Sequence, residues 1–267
     1  MSVRTKRDLA EKIVAYWDER ASTYSNGVMD ELADNRRGIW TAAIKDNSQE
    51  AFLSAMAHGR LPHAIDLGCG PGFFTSLLVR EGCDVAAVDA SSHMLTQARH
   101  NVLREASHAN ASFVQADLLS LPFDDGRFDL AVSRNVMWLM QDPAAVYVEW
   151  LRVLRPGGVL LVFDANWYRY LVDETLNLTR HSDQDGNDID EWQEDARATP
   201  DQERRCEIIA SRLPLTSILR PAWDLHTLKK LGVKSSSADT SIWRQVWTPS
   251  EQAFYRTSPL FLVKAVK

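Results

Sequence analysis

A glycine-rich turn between an apolar run and a helical segment constrains this chain more than any other feature. Residues 64–67 predict a strand, and Gly68, Gly70 and Gly72 follow it before a helix that begins near Phe73. Glycine has no Cβ and reaches positive φ easily, so a ligand can approach the backbone of such a turn closely. The helix start adds unpaired N–H groups and a positive dipole end. The pattern predicts a strand–turn–helix unit that carries a small-molecule site.

The spacing of the glycines narrows the choice of ligand. A dinucleotide-binding turn needs a small third residue at the position that Phe73 occupies, which disfavours NAD. A P-loop needs lysine and a hydroxyl residue after its last glycine, and two phenylalanines stand there, which disfavours a nucleoside triphosphate. Asp66, two residues before the first glycine, would repel a pyrophosphate and attract an ammonium group. The pattern therefore suits the amino-acid end of S-adenosylmethionine.

A series of sequence blocks resembles the class I S-adenosylmethionine-dependent methyltransferases, in particular their small-molecule group. The blocks are residues 16–24 (Tyr-Trp-Asp-Glu-Arg-Ala-Ser-Thr-Tyr), 66–72, 88–90 (Val-Asp-Ala), 116–118 (Ala-Asp-Leu), the strand 128–133, and 154–158 (Leu-Arg-Pro-Gly-Gly). The resemblance covers most of the chain. It implies an enzyme that moves a methyl group from S-adenosylmethionine to N, O or S of a small molecule.

Strand and helix patterns alternate through the middle of the chain and predict an α/β fold with helices on both faces of the sheet. The sheet is expected to be Rossmann-like, seven-stranded and mostly parallel. The family pattern implies that the last two strands form an antiparallel hairpin at its edge. The predicted strands are 64–67, 84–89, 112–115, 130–133, 159–163, 233–236 and 260–266, and the predicted helices 8–20, 37–56, 75–81, 93–106, 143–154 and 222–231.

The chain is predicted to divide into four segments. Residues 1–60 form an N-terminal helical lid, and residues 61–165 form the core that binds S-adenosylmethionine. Residues 166–220 are expected to be a substrate cap inserted after the fifth strand, and residues 221–267 the C-terminal helix and last strands of the core sheet. The lid is expected because residues 16–24 match the segment that opens the lid in the family.

Each part of S-adenosylmethionine needs a different protein group, and the family blocks supply candidates in order. Asp66 would face the ammonium group, directly or through water, and Asp89 would accept both ribose hydroxyls. Asp117 would accept from the adenine amino group, beside Leu118 and Met94. The complete predicted cofactor set is Tyr16, Tyr24, Asp66, Gly68, Cys69, Gly70, Asp89, Ala90, Met94, Ala116, Asp117, Leu118, Ser133 and Arg134.

Aromatic residues collect after the fourth predicted strand, where the methyl acceptor should lie. We expect Asn135, Trp138, Trp167 and Tyr168 to contact the acceptor, in an apolar or aromatic pocket whose ring faces attract cations. The nine carboxylates of residues 183–203 are interpreted as a solvated loop, or as a mouth that attracts a cationic substrate. The other aromatic residues of this group are Tyr170, Trp192, Trp223, Trp243 and Trp247.

No motif identifies a general base. A base is needed only if the acceptor arrives protonated, and His181 and Tyr168 are the candidates, followed by His226 and Asp164. The fourth strand lacks the Asp/Asn-Pro-Pro-aromatic sequence of enzymes that methylate nucleobase amines. Asp164 and Asn166 supply only part of a catechol-type magnesium site, so no metal is expected.

Composition limits the partners and the location. A net charge of −6 with scattered basic residues disfavours a nucleic acid. No apolar run reaches membrane length and the first residues lack a secretory apolar core, so we expect a cytoplasmic protein without a membrane partner. The three cysteines lack metal-ligand spacing, which fits a reducing compartment. An RNA or protein methyltransferase, and a regulatory protein that binds the cofactor without turnover, stay open as alternatives.

Overall fold

The computed structural model describes residues 3–106, 110–184 and 197–267. Helices α1 to α11 of this part are Val3–Ala33, Arg36–Asn47, Gln49–Ala57, Phe73–Arg80, Ser92–Glu105, Pro143–Val153, Glu174–Gln184, Pro200–Ala210, Ala222–Lys230, Trp243–Val246 and Pro249–Phe254. Strands β1 to β7 are His63–Leu67, Asp84–Asp89, Ala111–Gln115, Phe128–Arg134, Leu154–Asp164, Ser235–Asp239 and Phe261–Val266. Short 3-10 turns lie at Met137–Leu139, Arg169–Leu171 and Pro214–Thr216.

The strands form one seven-stranded sheet in the order β3-β2-β1-β4-β5-β7-β6. Strands β1 to β5 pair in parallel, and β7 runs antiparallel to both of its neighbours. The predicted fold class, a Rossmann-like and mostly parallel seven-stranded sheet, is confirmed. The carboxyl ends of the parallel strands meet at one edge, which is where open α/β sheets bind their ligands.

The predicted terminal hairpin is wrong in its connection. Strands β6 and β7 do pair in antiparallel fashion, but α10 and α11 lie between them in the chain. Of these two strands, β6 lies at the edge of the sheet, and β7 lies between β5 and β6. The residue types explain this order, since the β7 sequence Phe-Leu-Val-Lys-Ala-Val is mostly buried whereas the β6 sequence Ser-Ser-Ser-Ala-Asp is polar.

Alternate residues of each strand enter two separate apolar cores. On one face, Trp40 of α2 and Phe74 of α4 pack against Val132 and Leu161 of the sheet. On the other face, α6 and α9 cover the strands. Their core residues are Tyr147, Trp150 and Leu228, and the strand residues beneath them are Ala131 and Leu160. The period of two along the strands therefore divides the sheet between two layers of helices.

The helical N-terminal segment differs from its prediction in two places. Helix α1 extends well beyond residues 8–20, because Val28 and Leu32 continue the buried apolar face that begins at Leu9. The helix predicted over residues 37–56 is broken into α2 and α3 at Ser48, whose Oγ donates to the Ile44 carbonyl at 2.6 Å. A serine side chain that bonds to the preceding turn competes with helix continuation.

Helix α1 lies across the carboxyl edge of the sheet and is bonded to its neighbours on both sides. The Asp18 carboxylate accepts from the Ser91 hydroxyl at the start of α5. On the opposite side the Glu19 carboxylate accepts from Gln202 and Arg205 of α8, at 2.6 to 2.8 Å. These contacts place α1 between the core helix α5 and α8.

Candidate active site

The glycine turn after β1 has the backbone geometry that its sequence predicts. Gly68 has φ of +71°, and a Cβ there would lie 2.5 Å from a methyl carbon of Val136. Gly72 has φ of +89° at the start of α4, and a Cβ there would lie 3.1 Å from the backbone of Ala98. Both the positive φ and the close neighbours require glycine. The turn thus brings bare backbone to the carboxyl edge of β1.

A cavity of about 1030 Å³ opens beside this turn, at the ends of β1, β2 and β4. Helix α1 covers part of it with residues from Lys6 to Tyr24. Most of the predicted cofactor residues lie on its wall, namely Tyr24, Gly68, Gly70, Asp89, Ala90, Met94, Ala116, Asp117, Leu118 and Arg134. The structure therefore brings residues from five separate sequence segments to one cavity.

The Asp89 carboxylate is fixed at the end of β2. Its Oδ2 accepts from the Gly70 amide and its Oδ1 from the Ser91 amide, both at 2.9 Å. Burial raises the pKa of Asp89 above its ordinary value. A carboxylate oxygen has two lone-pair sites, so each oxygen retains one for a ligand. Asp89 can therefore hold the glycine turn and still accept hydroxyl donors from the cavity.

Asp117 lies at the exposed rim of the same cavity. Its Oδ1 accepts from the Leu119 amide at 2.9 Å, which closes a local turn after β3. The neighbouring Leu118 side chain is buried, and its carbonyl accepts from Trp150. The side chains of Met94 and Leu118 give this end of the cavity an apolar surface.

Within the described part of the chain, four predicted cofactor residues lie off the wall of this cavity. Asp66 is buried and its Oδ2 accepts from the Thr75 amide at 2.9 Å and the Thr75 hydroxyl at 2.7 Å. The Ser133 hydroxyl donates to the Leu67 carbonyl at 2.9 Å and joins β4 to β1. Cys69 is buried under α5. Tyr16 lies on another face of α1, toward α8.

Burial makes Asp66 a weaker acid than an ordinary aspartate. It raises the pKa of this carboxyl to about 7, against the lowering effect of the two Thr75 donors. The Asp66 side chain points to the first turn of α4 and does not line the cavity. Its contact with the ammonium group of a ligand, directly or through water, stays a prediction. Asp66 holds the glycine turn to the helix that follows it.

A second cavity of about 370 Å³ adjoins the first. Ten aromatic residues line it, together with four glutamates and three arginines. The predicted acceptor residues Asn135, Trp138, Trp167 and Tyr168 are all on its wall, and so is Tyr16. The remaining aromatic residues are Trp17, Tyr24, Tyr170, Trp247, Phe254 and Tyr255. Trp223 and Trp243 lie elsewhere, and Trp192 falls outside the described residues, as does most of the acidic segment 183–203.

The two cavities share the wall residues Trp17, Tyr24, Arg134 and Asn135. Arg134 donates two hydrogen bonds of 2.9 Å to Glu31, and its guanidinium lies 4.5 Å from the ring centre of Trp40. Asn135 follows β4 with φ of +59°. Among the residues that the structure describes, no group bonds to the buried Asn135 Oδ1 or to Trp17 Nε1. Unpaired polar atoms therefore lie where the cavities meet.

The candidate bases have different surroundings. The Tyr168 hydroxyl donates to Cys206 Sγ at 3.0 Å, and burial raises the pKa of Tyr168 well above its ordinary value, so the phenol is protonated at neutral pH. Asp164 accepts from the Trp138 amide, Trp167 Nε1 and Arg220, and is fully buried. His226 is exposed on α9. His181 belongs to α7, and its side chain lies outside the described residues.

Sequence reasoning missed several residues of the second cavity. Trp17 belongs to the block at residues 16–24 and could have been found from its neighbours. Glu31 and Glu251 carried no signal, because their partners Arg134 and Arg36 are far away in the chain. In the described ranges, no group of three or more His, Cys, Asp or Glu side chains is arranged to hold a metal ion. None of the described helices is long and apolar enough to cross a membrane.

A family model described as a methyltransferase domain matches residues 65–162, from β1 to near the end of β5. Residues 65–162 are similar to the methyltransferase domain of class I S-adenosylmethionine-dependent methyltransferases. S-adenosylmethionine is the cofactor of this class, which confirms the cofactor prediction. The match covers the sheet edge where the glycine turn, Asp89 and Asp117 lie.

Curated relatives match the methyltransferase domain over part of their length. The malonyl-(acyl-carrier protein) O-methyltransferase of Enterobacter lignolyticus is 36% identical over 118 residues, which are 44% of each chain. An uncharacterized methyltransferase of Mycobacterium sp. (strain JLS) is 30% identical over 141 residues, which are 53% of each chain. The chain thus spans about half the length of the curated relatives that it matches.

Two solved methyltransferase structures share the fold over most of this chain. The plantazolicin methyltransferase BpumL, in complex with S-adenosylhomocysteine, has a TM-score of 0.54 at 14% identity and covers 97% of this chain and 98% of its own. Phosphoethanolamine N-methyltransferase 2 of Haemonchus contortus has a TM-score of 0.52 at 14% identity, covering 91% and 60%. At such identities the likeness concerns the fold of the methyltransferase and not its acceptor.

Proposed function

We propose that this chain transfers the methyl group of S-adenosylmethionine to N, O or S of a small molecule. The observation that supports this most is the junction of the two cavities. A cavity beside the glycine turn opens next to a smaller aromatic one, and Trp17, Tyr24, Arg134 and Asn135 belong to both. A cofactor in the first cavity and an acceptor in the second would meet at these residues.

The residues of the first cavity suit the chemistry of S-adenosylmethionine, which when bound supplies an electrophilic methyl group on a sulfonium. Asp89 has lone pairs free for the ribose hydroxyls. Met94 and Leu118 offer an apolar surface for adenine, with Asp117 at the rim. The remaining task of the protein is to exclude water and hold the acceptor atom in line behind the methyl group.

The outer segments would perform that task. Residues 1–60 are proposed as the lid, because α1 covers the first cavity and lines the second. Residues 166–220 are proposed as the acceptor cap, since Trp167, Tyr168 and Cys206 contribute to the wall of the second cavity. Residues 61–165 would hold the cofactor, and residues 221–267 would complete the sheet and close the cavity with α11.

The competing functions gain less support. A cavity of about 370 Å³ with four glutamates is a poor site for the phosphates of RNA. A regulatory protein without turnover would be favoured if side chains filled the acceptor site, and here an open cavity is present. The cytoplasmic location stays a prediction from the sequence.

The proposal is tested with a radiolabelled methyl group. The purified protein is incubated with methyl-labelled S-adenosylmethionine and a small-molecule extract, and labelled products are separated and identified. We expect label in a small metabolite and none in added RNA or protein. Label found only in RNA or protein would replace the proposed acceptor class, and NADH binding as tightly as S-adenosylhomocysteine would contradict the cofactor.

The first expected outcome concerns the ribose site. Asp89→Ala should weaken S-adenosylhomocysteine binding by about 1.5 to 3 kcal/mol, because charge-assisted hydrogen bonds to the hydroxyls are lost. Asp117→Asn at the exposed rim is the control and should cost less than about 1 kcal/mol. Titration calorimetry measures both. Equal affinity of Asp89→Ala and the wild type would exclude Asp89 as the ribose ligand.

The second expected outcome separates the ring of Tyr168 from its hydroxyl. The ring packs on Trp138 with centroids 4.7 Å apart, so Tyr168→Ala should reduce kcat/KM for the acceptor by roughly tenfold or more. Tyr168→Phe keeps the ring and should retain most activity, because a protonated phenol is no base. Steady-state kinetics with the acceptor found in the labelling experiment distinguishes the two variants. A Tyr168→Phe enzyme as slow as Tyr168→Ala would restore Tyr168 as a base.

A further inference from the structure

We propose that the second cavity takes its methyl acceptor as an amine, with the Asn135 side chain receiving an N–H of that amine. This inference rests on the proposed function and names its substrate class. Two features carry it: the buried, unpaired amide oxygen of Asn135 and the aromatic and acidic wall of the cavity.

Asn135 stands where the two cavities meet. It lines both of them, and among the described residues its buried Oδ1 has no hydrogen-bond partner. Its backbone has φ of +59°, a left-handed conformation that asparagine adopts more readily than most residues. A buried acceptor without a donor is unfavourable, and strained backbone is concentrated at ligand sites. Both observations indicate that a ligand supplies the missing donor.

The wall of the cavity favours a cation over an anion. Ring faces attract cations, and Trp138 and Tyr168 present a tilted ring pair 4.7 Å apart. Four carboxylates line the cavity, including Glu203 near its exposed side. Two of the three arginines of the wall are held by other groups of the protein, since Arg134 pairs with both oxygens of Glu31 and Arg20 donates to the Arg197 carbonyl. Four glutamates against three arginines give the wall a net negative charge, which attracts an ammonium group and disfavours a carboxylate or phosphate.

The reacting atom can be nitrogen without help from a base in the wall. A hydroxyl acceptor must lose its proton, and the phenol of Tyr168 cannot take it because burial keeps it protonated. An amine arrives as an ammonium ion, releases one proton to water and presents a lone pair. That pair forms the new C–N bond while the C–S bond breaks and its electrons remain on sulfur. The amine keeps an N–H for Asn135 throughout, and the product leaves as an ammonium ion with one more methyl group.

The experiment compares three probes of similar size and different charge: benzylamine, benzyl alcohol and benzoate. Their binding to the wild-type protein saturated with S-adenosylhomocysteine is measured by calorimetry at pH 7. We expect benzylamine to bind about tenfold or more tighter than either of the others, the effect of one charged-group interaction. Benzylamine binding no tighter than that of benzyl alcohol or benzoate, or absent, would overturn the inference.

Two variants locate the effect at Asn135. Asn135→Gly removes the amide and tolerates the positive φ, so the preference for benzylamine should fall by about tenfold. Asn135→Asp is nearly isosteric and adds a negative charge, so the preference should rise. The preference is compared with each variant saturated with S-adenosylhomocysteine, so a change in cofactor affinity does not alter it. An Asn135→Gly protein that loses S-adenosylhomocysteine affinity but keeps the benzylamine preference would assign the amide to the cofactor and overturn the inference. A wild-type protein that fails to bind S-adenosylhomocysteine would overturn the proposed function itself.

Discussion

Replacing Arg220 by methionine should lower the free energy of unfolding by about 3 to 5 kcal/mol, the usual cost of breaking a buried ion pair. Arg220 is 3% exposed and pairs with Asp164 and Asp224, both of which are fully buried. Without the guanidinium, two carboxylates remain in the core without a counter-charge. Equilibrium denaturation by urea at pH 7 measures the loss.

The loss should depend on pH in a defined direction. Burial already raises the pKa of Asp164, and removing the Arg220 guanidinium raises it further. A carboxyl whose folded-state pKa lies above its unfolded value destabilises the fold as pH rises. The deficit of Arg220→Met should therefore shrink as pH falls toward the unfolded pKa of aspartate. Arg204→Ala, at an ion pair with side chains 70% and 65% exposed, is the control and should change stability by less than about 0.5 kcal/mol at any pH.

The same variant should disturb the acceptor cavity. Asp164 also accepts from the Trp138 amide at 3.1 Å and from Trp167 Nε1 at 3.0 Å, so the Arg220 network holds two wall residues in place. An Arg220→Met protein as stable as the wild type at every pH would show that the core tolerates two unpaired carboxylates. That result would contradict the structural role assigned to Arg220.

Trp40→Ala should cost about 3 to 5 kcal/mol of stability, the range for removing a large aromatic side chain from a core. Trp40 is fully buried on α2, with ring centroids 5.4 to 5.8 Å from those of Phe73, Phe74 and Phe163. The Arg134 guanidinium lies over its ring. The cavity left by alanine would remove contacts from the sheet, α4 and Arg134 together.

Trp40→Phe is the matched variant and should cost much less than alanine. It retains a ring against the three phenylalanines, and it deletes an indole N–H that has no partner among the described groups. Thermal and urea unfolding of the two variants gives the comparison. Equal losses in Trp40→Phe and Trp40→Ala would mean that the indole shape, rather than aromatic packing, carries the stabilisation.

Local patterns predicted most of the residues that the structure brings together at the first cavity. The glycine turn, Asp89 and Asp117 each follow a predicted strand, and parallel strands bring their carboxyl ends to one edge of a sheet. Two of the predicted residues lie off the cavity wall because their side chains bond to other groups of the protein. Asp66 turns to Thr75 and Ser133 to the Leu67 carbonyl, and nothing in the local sequence distinguishes such a contact from an exposed one.

The sequence by itself determined the strand and helix alternation, the seven-stranded sheet, and the glycines and acidic residues that follow its parallel strands. These depend on the hydrophobic period and on short-range backbone requirements, which are properties of neighbouring residues. Only the tertiary structure decided three features: the second cavity, the position of β7 between β5 and β6 in the sheet, and the pairing of Arg134 with Glu31 and of Arg220 with Asp164. The two ion pairs join residues that are 103 and 56 positions apart, and β7 lies in the sheet before β6 although it follows β6 in the chain. Such contacts are selected by packing and by the burial of charge, which no local pattern reports.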